Sequence, residues 1–334
     1  MEINQGTVPE HMIKLKRYQD NPILKPNPKN QWESKAVFNP GAAYINGKVY
    51  LLYRAIGEYE KYISKLGLAI SQDGFHFKRV GSQPVFQPEA DYEKWGCEDP
   101  RINLVENEIY ITYVALNQPA RNPKKLVQTA LAKTTDFKNF QRMGIITPEL
   151  SDNRNVVLFP EKIKGKYVML HRPKAWLEKK YSSSLTSIWI AYSKNLLTWS
   201  DHQPLYQPTE TWESIKIGAG PPPIKTSAGW LLIYHGVGPD INPSRIRFDK
   251  QIQTRIYRAG AMLLDLNEPT KIIARSKEPI LEPEKDYELN GDVPTVVFPT
   301  GAFVKDNQLF VYYGAADKTC CLATIPLDDL IQGL

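Results

Sequence analysis

The sequence predicts an all-β protein, a five-bladed β-propeller, and three observations carry that expectation. A segment of small or apolar residues, leading through a two-residue turn into an aromatic-rich strand, recurs at a spacing of roughly 60 residues. A second apolar hairpin follows most of these copies. Helical periodicity is nearly absent, while 18 Tyr, 7 Trp, 26 Pro and 20 Gly favour pleated strands joined by turns. Four-stranded units repeated radially make a propeller; a β-sandwich would not produce paired hairpins at this period.

The elements follow in order. The first hairpin type appears as GAAYINGKVYLLYRA (41–55), RINLVENEIYITYVA (101–115), VLFPEKIKGKYVMLHRP (157–173), PPPIKTSAGWLLIYHGV (221–237) and TGAFVKDNQLFVYYGAAD (300–317). Its turns are Asn46-Gly47, Glu106-Asn107, Lys164-Gly165, Ala228-Gly229 and Asp306-Asn307, all read as hairpin turns. The second type appears as LGLAISQDGFHFKRV (66–80), TALAKTTDFKNFQRM (129–143) and SIWIAYSKNLLTWSD (187–201), with Phe77, Phe140 and Trp199 in equivalent places. A weaker copy is AGAMLLDLNEPTKII (259–273), and the fifth, CCLATIPLDDLI (320–331), is truncated, with Asp328–Ile331 adding a last helical turn. The expected organisation is an N-terminal arm, 1–19, loose or packed on a neighbour, and a single propeller, 20–334.

Composition narrows the function. The net charge of +6 is modest for 334 residues, and the Lys and Arg are scattered rather than striped, which disfavours nucleic acid and suits a small anion. Three cysteines, Cys97, Cys320 and Cys321, give no disulfide framework, and no metal spacing appears. The N-terminus lacks the apolar core of a signal peptide and no run of apolar residues is long enough for a membrane span, so the chain reads as soluble and cytoplasmic. Oligomeric state is open, a homo-oligomer included.

The innermost strand of each blade lines a central channel, so polar residues in otherwise apolar first strands converge on the axis. The candidates are Asn39 and Arg54 in the first repeat; Glu98, Asp99 and Arg101 in the second; Arg154, Asn155, His171 and Arg172 in the third; Lys216 and His235 in the fourth; and Asp317 in the fifth. Buried charge needs a partner or a ligand, and arginine forks and a lysine match phosphate oxygens. Bland readings stand beside these. Asp99 also reads as a turn cap before Pro100, and Arg101 as a structural residue pairing with Glu98 or a strand carboxylate. Glu161, Glu213 and Asp292 have no assigned role. Trp95, Trp176 and Trp212 either stack on sugars or fill blade edges.

The stretches WESKAVFNPGA, WGCEDPRI, RNVVLFPEKIKGKYVMLHRP, SIKIGAGPPPI, WLLIYHGV and VVFPTGAFV…VYYGAAD resemble glycoside hydrolase family 130, the β-mannoside phosphorylases and related mannosidases, over about residues 20 to 325. The resemblance implies a five-bladed propeller and a single essential acid, Asp99. It implies a phosphate held by Arg154, Asn155, Arg172, Lys216 and His235, and a mannosyl unit held by Asn39, Arg54 and Asp317, with Glu98 beside the sugar sites. It also implies inorganic phosphate as co-substrate, a β-mannoside as the other partner, and no organic cofactor or metal. The sequence departs from some members at Pro40, where they carry serine, at Glu98, where they carry tyrosine, and in extra residues near Gln118–Lys125. The Glu-Asp-Pro-Arg form is similar to members acting on β-1,2-linked mannosides.

Ordinary inverting glycosidases need an acid and a base. Phosphate is already anionic, so one acid suffices, and the expected product is α-mannose 1-phosphate. An acid working at neutral pH needs a raised proton affinity; Glu98 would raise that of Asp99 and Arg101 oppose it. Three rivals remain: a β-mannosidase using water, a non-catalytic sugar-binding propeller, and a furanosidase drawing on Asp99, Asp317 and Glu213.

Overall fold

The computed structural model describes residues 13–120, 122, 127–149, 151–176, 186–240 and 255–334. Strand β1 (Lys16–Arg17) comes first and pairs last. Blade one is β2 (Ala36–Ile45), β3 (Lys48–Ile56), β4 (Lys65–Ser71) and β5 (Lys78–Arg79). Blade two is β6 (Cys97–Val105), β7 (Glu108–Ala115), β8 (Gln128–Thr134) and β9 (Phe140–Ile145). Blade three is β10 (Ser151–Leu158), β11 (Tyr167–Trp176), β12 (Ile188–Ser193) and β13 (Trp199–Tyr206). Blade four is β14 (Lys216–Ala219), β15 (Ile224–Thr226), β16 (Gly229–Pro239), β17 (Arg255–Leu264) and β18 (Ile272–Arg275). Blade five is α1 (Asp286–Leu289), β19 (Val297–Lys305), β20 (Gln308–Ala315), β21 (Thr319–Pro326) and α2 (Leu327–Gln332). All five sheets are antiparallel, with strands in chain order except that β14 and β15 share β16 and β1 joins β21, the propeller expected from the repeat.

Two details differ from the sequence reading. The truncated fifth copy is completed by β1, which pairs with β21 through Lys16↔Thr324 and Arg17↔Ala323. The segment drawn as an arm therefore supplies the outer strand of blade five from Lys16 onward, and residues 1–12 lie outside the described residues. Ala228-Gly229 is not the same turn as the other four. Asn46-Gly47, Glu106-Asn107, Lys164-Gly165 and Asp306-Asn307 all have positive φ at both residues, as a type I′ turn demands. In the blade-four turn only Gly229 is positive, and the Thr226 hydroxyl accepts from the Ala228 and Gly229 amides instead.

Apolar faces of adjacent blades interlock to form the core. One cluster joins blades four and five around Leu231, Ala261, Val311 and Ala323, and another joins blades five and one around Leu51, Phe310 and Leu322. Cys320 belongs to the second and Cys321 to the first, because consecutive strand residues face opposite ways. All three cysteines are buried and free.

One local device recurs. A short turn before the first strand carries a fully buried glutamate: Glu33, Glu93, Glu213 and Glu288. Each accepts a hydrogen bond from a tyrosine in the strand that pairs with that first strand, Tyr53 in β3, Tyr113 in β7, Tyr234 in β16 and Tyr313 in β20. An outer-strand arginine closes three of the four: Arg79 Nε to Glu33 at 2.9 Å, Arg142 Nε to Glu93 at 2.7 Å and Arg17 Nε to Glu288 at 2.8 Å. In blade four Arg275 bonds Glu210 and Thr209 instead. In blade three the tyrosine position is His171, which bonds Asn153 and His202.

Candidate active site

The residue after that tyrosine or histidine is Arg54, Val114, Arg172, His235 or Gly314. Each pairs across the ladder with a first-strand residue: Phe38, Glu98, Arg154, Gly218 and Phe298 in turn. Directly after these pairs the register slips in blades one, two and three, and one residue later in blade five. Bulges of this kind bend a strand and re-aim a side chain. The bulged residues Asn39, Asp99 and Asn155 have φ of 47°, 48° and 59°, and Asp317, in the turn between β20 and β21, has 48°. Asparagine and aspartate tolerate the left-handed region better than most residues, so residue type and geometry agree at four site positions.

The result is one cavity at the axis, about 160 Å³, lined by all ten residues that the sequence assigns to the site: Asn39, Arg54, Glu98, Asp99, Arg154, Asn155, Arg172, Lys216, His235 and Asp317. Tyr257, Val293, Val296 and Phe298 complete it. Sequence reasoning missed Tyr257 because it sits in β17, a third strand. Larger grooves of about 700 and 580 Å³ lie elsewhere, and none of these ten residues lines them.

The cavity has two unlike ends. At one, Arg54 bridges two carboxylates, with Nη2 donating to Glu98 Oε1 at 2.5 Å and Nη1 to Asp99 Oδ1 at 3.1 Å. Its Nε donates to Ser64 at 2.9 Å, and the guanidinium lies 4.6 Å over the Phe38 ring. Asn39 Nδ2 donates to the same Asp99 oxygen at 2.8 Å. Both protein bonds fall on Oδ1, which leaves Oδ2 to meet a ligand. Gly314 makes room here: a Cβ on it would stand 1.9 Å from Asn39 Oδ1. Arg101 lies beneath, buried; it donates to the Asp99 carbonyl at 2.5 Å and the Gly220 carbonyl at 3.2 Å, so its role is to hold the bulge rather than to pair with Glu98.

At the other end are Arg154, Arg172, Lys216, Asn155 and His235. Arg154 Nη2 donates to Asp152 at 3.1 Å, Lys216 Nζ to the Tyr257 hydroxyl at 2.8 Å, and Asn155 Nδ2 lies 3.4 Å from His235 Nε2. Arg154 Nε, Arg172 Nε and His235 Nδ1 are buried with no hydrogen-bond partner, as are Arg101 Nη2 and Asn39 Oδ1. Buried polar atoms are rarely left so; their concentration around one cavity marks a site built for a polar ligand.

Electrostatics follow this division. Burial, then repulsion from Arg172 and Arg154, lowers Lys216 to about 7. Burial, then Arg172 and Lys216, holds His235 well below its ordinary value, so it is neutral. Burial also lowers Arg172, to about 10, with Arg154 adding to it. At the acid end burial lifts Asp317 to about 7; Arg54 opposes this, and Asp99 and Asp292 add to it. Asp99 differs from expectation. Burial pushes it up, but Arg54, Arg101 and the bonds from Asn39 and Arg54 outweigh burial and hold it below the usual carboxylate value. Among the described residues no cluster of His, Cys, Asp or Glu is placed to hold a metal, and no helix is long and apolar enough to cross a membrane.

Comparison with known proteins agrees with this architecture. The model of glycoside hydrolase family 130, described as β-1,4-mannooligosaccharide phosphorylase, matches residues 14–334. A 1,2-β-oligomannan phosphorylase of Thermoanaerobacter sp. (strain X514) is 43% identical, covering 96% of this chain and 99% of its own. A β-1,2-mannobiose phosphorylase of the same organism is 40% identical over 94% and 98%. The solved β-1,2-mannobiose phosphorylase of Listeria innocua, in complex with β-1,2-mannobiose, superposes with a TM-score of 0.78 at 31% identity, covering 96% of this chain and 99% of that one. Matched along nearly its full length in sequence and in fold, the chain belongs to glycoside hydrolase family 130.

Proposed function

We propose that the enzyme is a β-mannoside phosphorylase that cleaves β-1,2-linked mannosides with inorganic phosphate, inverting the anomeric carbon to give α-mannose 1-phosphate and a shortened acceptor. The observation that carries this is the division of one cavity into an end with carboxylates and an end with cations. A hydrolase of the inverting kind needs a base carboxylate across the sugar from the acid. Here Glu98, Asp99 and Asp317 line the cavity with Arg54 among them, and the groups of the other end are cations, a neutral imidazole and an amide. The β-1,2 linkage rests on the relatives at 43% and 40% identity.

In this reading Arg154, Arg172, Lys216, Asn155 and His235 take the phosphate. Its oxygens supply the acceptors that Arg154 Nε and Arg172 Nε lack, and its charge restores the proton to Lys216. Asn39, Arg54, Glu98 and Asp317 hold the mannosyl unit, and Asp99 supplies the proton for the departing oxygen through Oδ2. Since Arg54 and Arg101 keep Asp99 ionised in the empty cavity, the proton arrives with the substrates. An anionic phosphate offsets the surrounding cations, and the sugar displaces water, both of which raise a carboxyl's proton affinity. Fixing phosphate in line with the anomeric carbon supplies several kcal/mol of the barrier, roughly up to ten in the best intramolecular cases. Phosphate is a co-substrate, and no cofactor enters the scheme. A single propeller domain and a cytoplasmic setting belong to the same proposal; three free buried cysteines suit a reducing compartment.

The test is phosphate release from α-mannose 1-phosphate with mannose, glucose or N-acetylglucosamine as acceptor. Release with mannose, abolished in Asp99→Asn and weakened through the KM for mannose 1-phosphate in Arg172→Ala, is the expected result. Cleavage of β-1,2-mannobiose at equal rates with and without phosphate would make the protein a mannosidase and overturn the phosphate assignment.

A further inference from the structure

The mouth of the cavity carries a feature that the reaction scheme above leaves unused. Two segments meet there, 57–64 between β3 and β4, and 290–296 before β19. The Tyr62 hydroxyl donates to Asp292 Oδ2, joining residues 230 apart in the chain. The Tyr62 ring lies 5.7 Å over the Arg54 guanidinium, which places it at the carboxylate end. Tyr59 stacks on Tyr62 with centroids 6.1 Å apart and an interplanar angle of 29°. Both rings rest on the buried patch of Ala36, Phe38 and Ile56, so they are held before any ligand arrives. Val293 is 39% exposed and yet lines the cavity; the other exposed large apolar side chains among the described residues, Leu197 and Ile273, do not.

We infer that Tyr59, Tyr62, Asp292 and Val293 form the subsite for the sugar unit on the leaving side of the scissile bond, and so determine which acceptor the enzyme uses. This rests on the phosphorolysis proposed above. Phosphate takes the cation end, and the mannosyl unit that it attacks lies between that end and Asp99. In an in-line displacement the departing unit is on the far side of the attacked carbon, toward the carboxylate end and its rim. A pyranose presents a face of C–H groups and an edge of hydroxyls. An aromatic pair and a valine match the face, and a carboxylate with one oxygen engaged by Tyr62 keeps the other for a hydroxyl.

The experiment runs the reaction in the synthetic direction with mannose and with β-1,2-mannobiose as acceptors, on wild type, Tyr59→Ala and Asp292→Asn, with thermal melts alongside. Removing the stacked ring raises the acceptor KM about five- to tenfold, and Asp292→Asn also raises it, while the KM for mannose 1-phosphate stays within about twofold. An unchanged acceptor KM in both variants overturns the assignment. So does a parallel rise in both KM values, which would mean that the rim only supports the interior. A wild type that turns over no mannose 1-phosphate fails the parent reading instead. Calorimetric titration with β-1,2-mannobiose then decides the rim: weaker binding by Tyr59→Ala supports it and equal binding sinks it.

Discussion

Lys216 and Asp317 belong to opposite ends of the cavity, and burial discharges both near neutrality. Lys216 is lowered from 10.5 to about 7, so between those values the unfolded chain holds a proton that the folded one has lost, and stability rises with pH. Asp317 is raised from 3.8 to about 7, so across that window the folded chain holds the extra proton, and stability falls as pH rises. Asp317→Asn removes the second cost. We expect the variant to melt above wild type by about 2 °C or more near pH 8 and to lose that advantage near pH 4; an equal shift at both pH values would refute the account. The identity of these residues was legible in the sequence, because charged side chains in apolar strands stand out. Their titration was not. For Asp99 adjacency set Glu98 against Arg101 and left the balance open; Arg54, 45 positions away in sequence, bonds it at 3.1 Å and tips that balance downward.

The strand hairpin, with its preceding turn, is the unit that carries the site. Outside blade three the buried glutamate fixes that turn against the second strand of the hairpin, and a bulge two to four residues into the first strand points Asn39, Asp99 or Asn155 inward. Removing the glutamate strips a buried tyrosine and a partly exposed arginine of a shared partner, at a cost of about 1–3 kcal/mol. Glu33→Ala and Glu93→Ala should each destabilise by that order in denaturant melts. Glu213→Ala should cost less, since Arg275 reaches Glu210 rather than Glu213. Equal losses at all three positions would mean that the arginine contributes nothing. This device was only half legible. Glu213 was visible as an acid without a role, but the pattern Trp-Glu, Tyr-Glu and Tyr-Glu-Leu before a strand becomes a repeat only once Tyr53, Tyr113, Tyr234 and Tyr313 are seen to converge on it.

Across the whole molecule, the ring closes where the two ends of the described chain meet. Blade five takes three strands from the C-terminal part and its fourth, β1, from the N-terminal part, with Arg17 bonded to Glu288 and Leu15 buried in the core. Deleting residues 1–17 strips β21 of its neighbour and exposes a strand edge. We expect a clear fall in melting temperature and a tendency to aggregate, with Arg17→Ala intermediate; an unchanged melt in the deletion would show that β1 does not close the ring. The sequence by itself determined the number of blades, the order of the hairpins and the residue types at the axis, because alternation, turn chemistry and repetition are local and survive in one dimension. Only the tertiary structure decided what completes blade five, which oxygen of Asp99 is free, which carboxylate keeps its proton and what stands at the mouth. Each of these depends on groups such as Arg17 with Glu288, Arg54 with Asp99 or Tyr62 with Asp292, which are far apart along the chain and brought together only when the propeller closes.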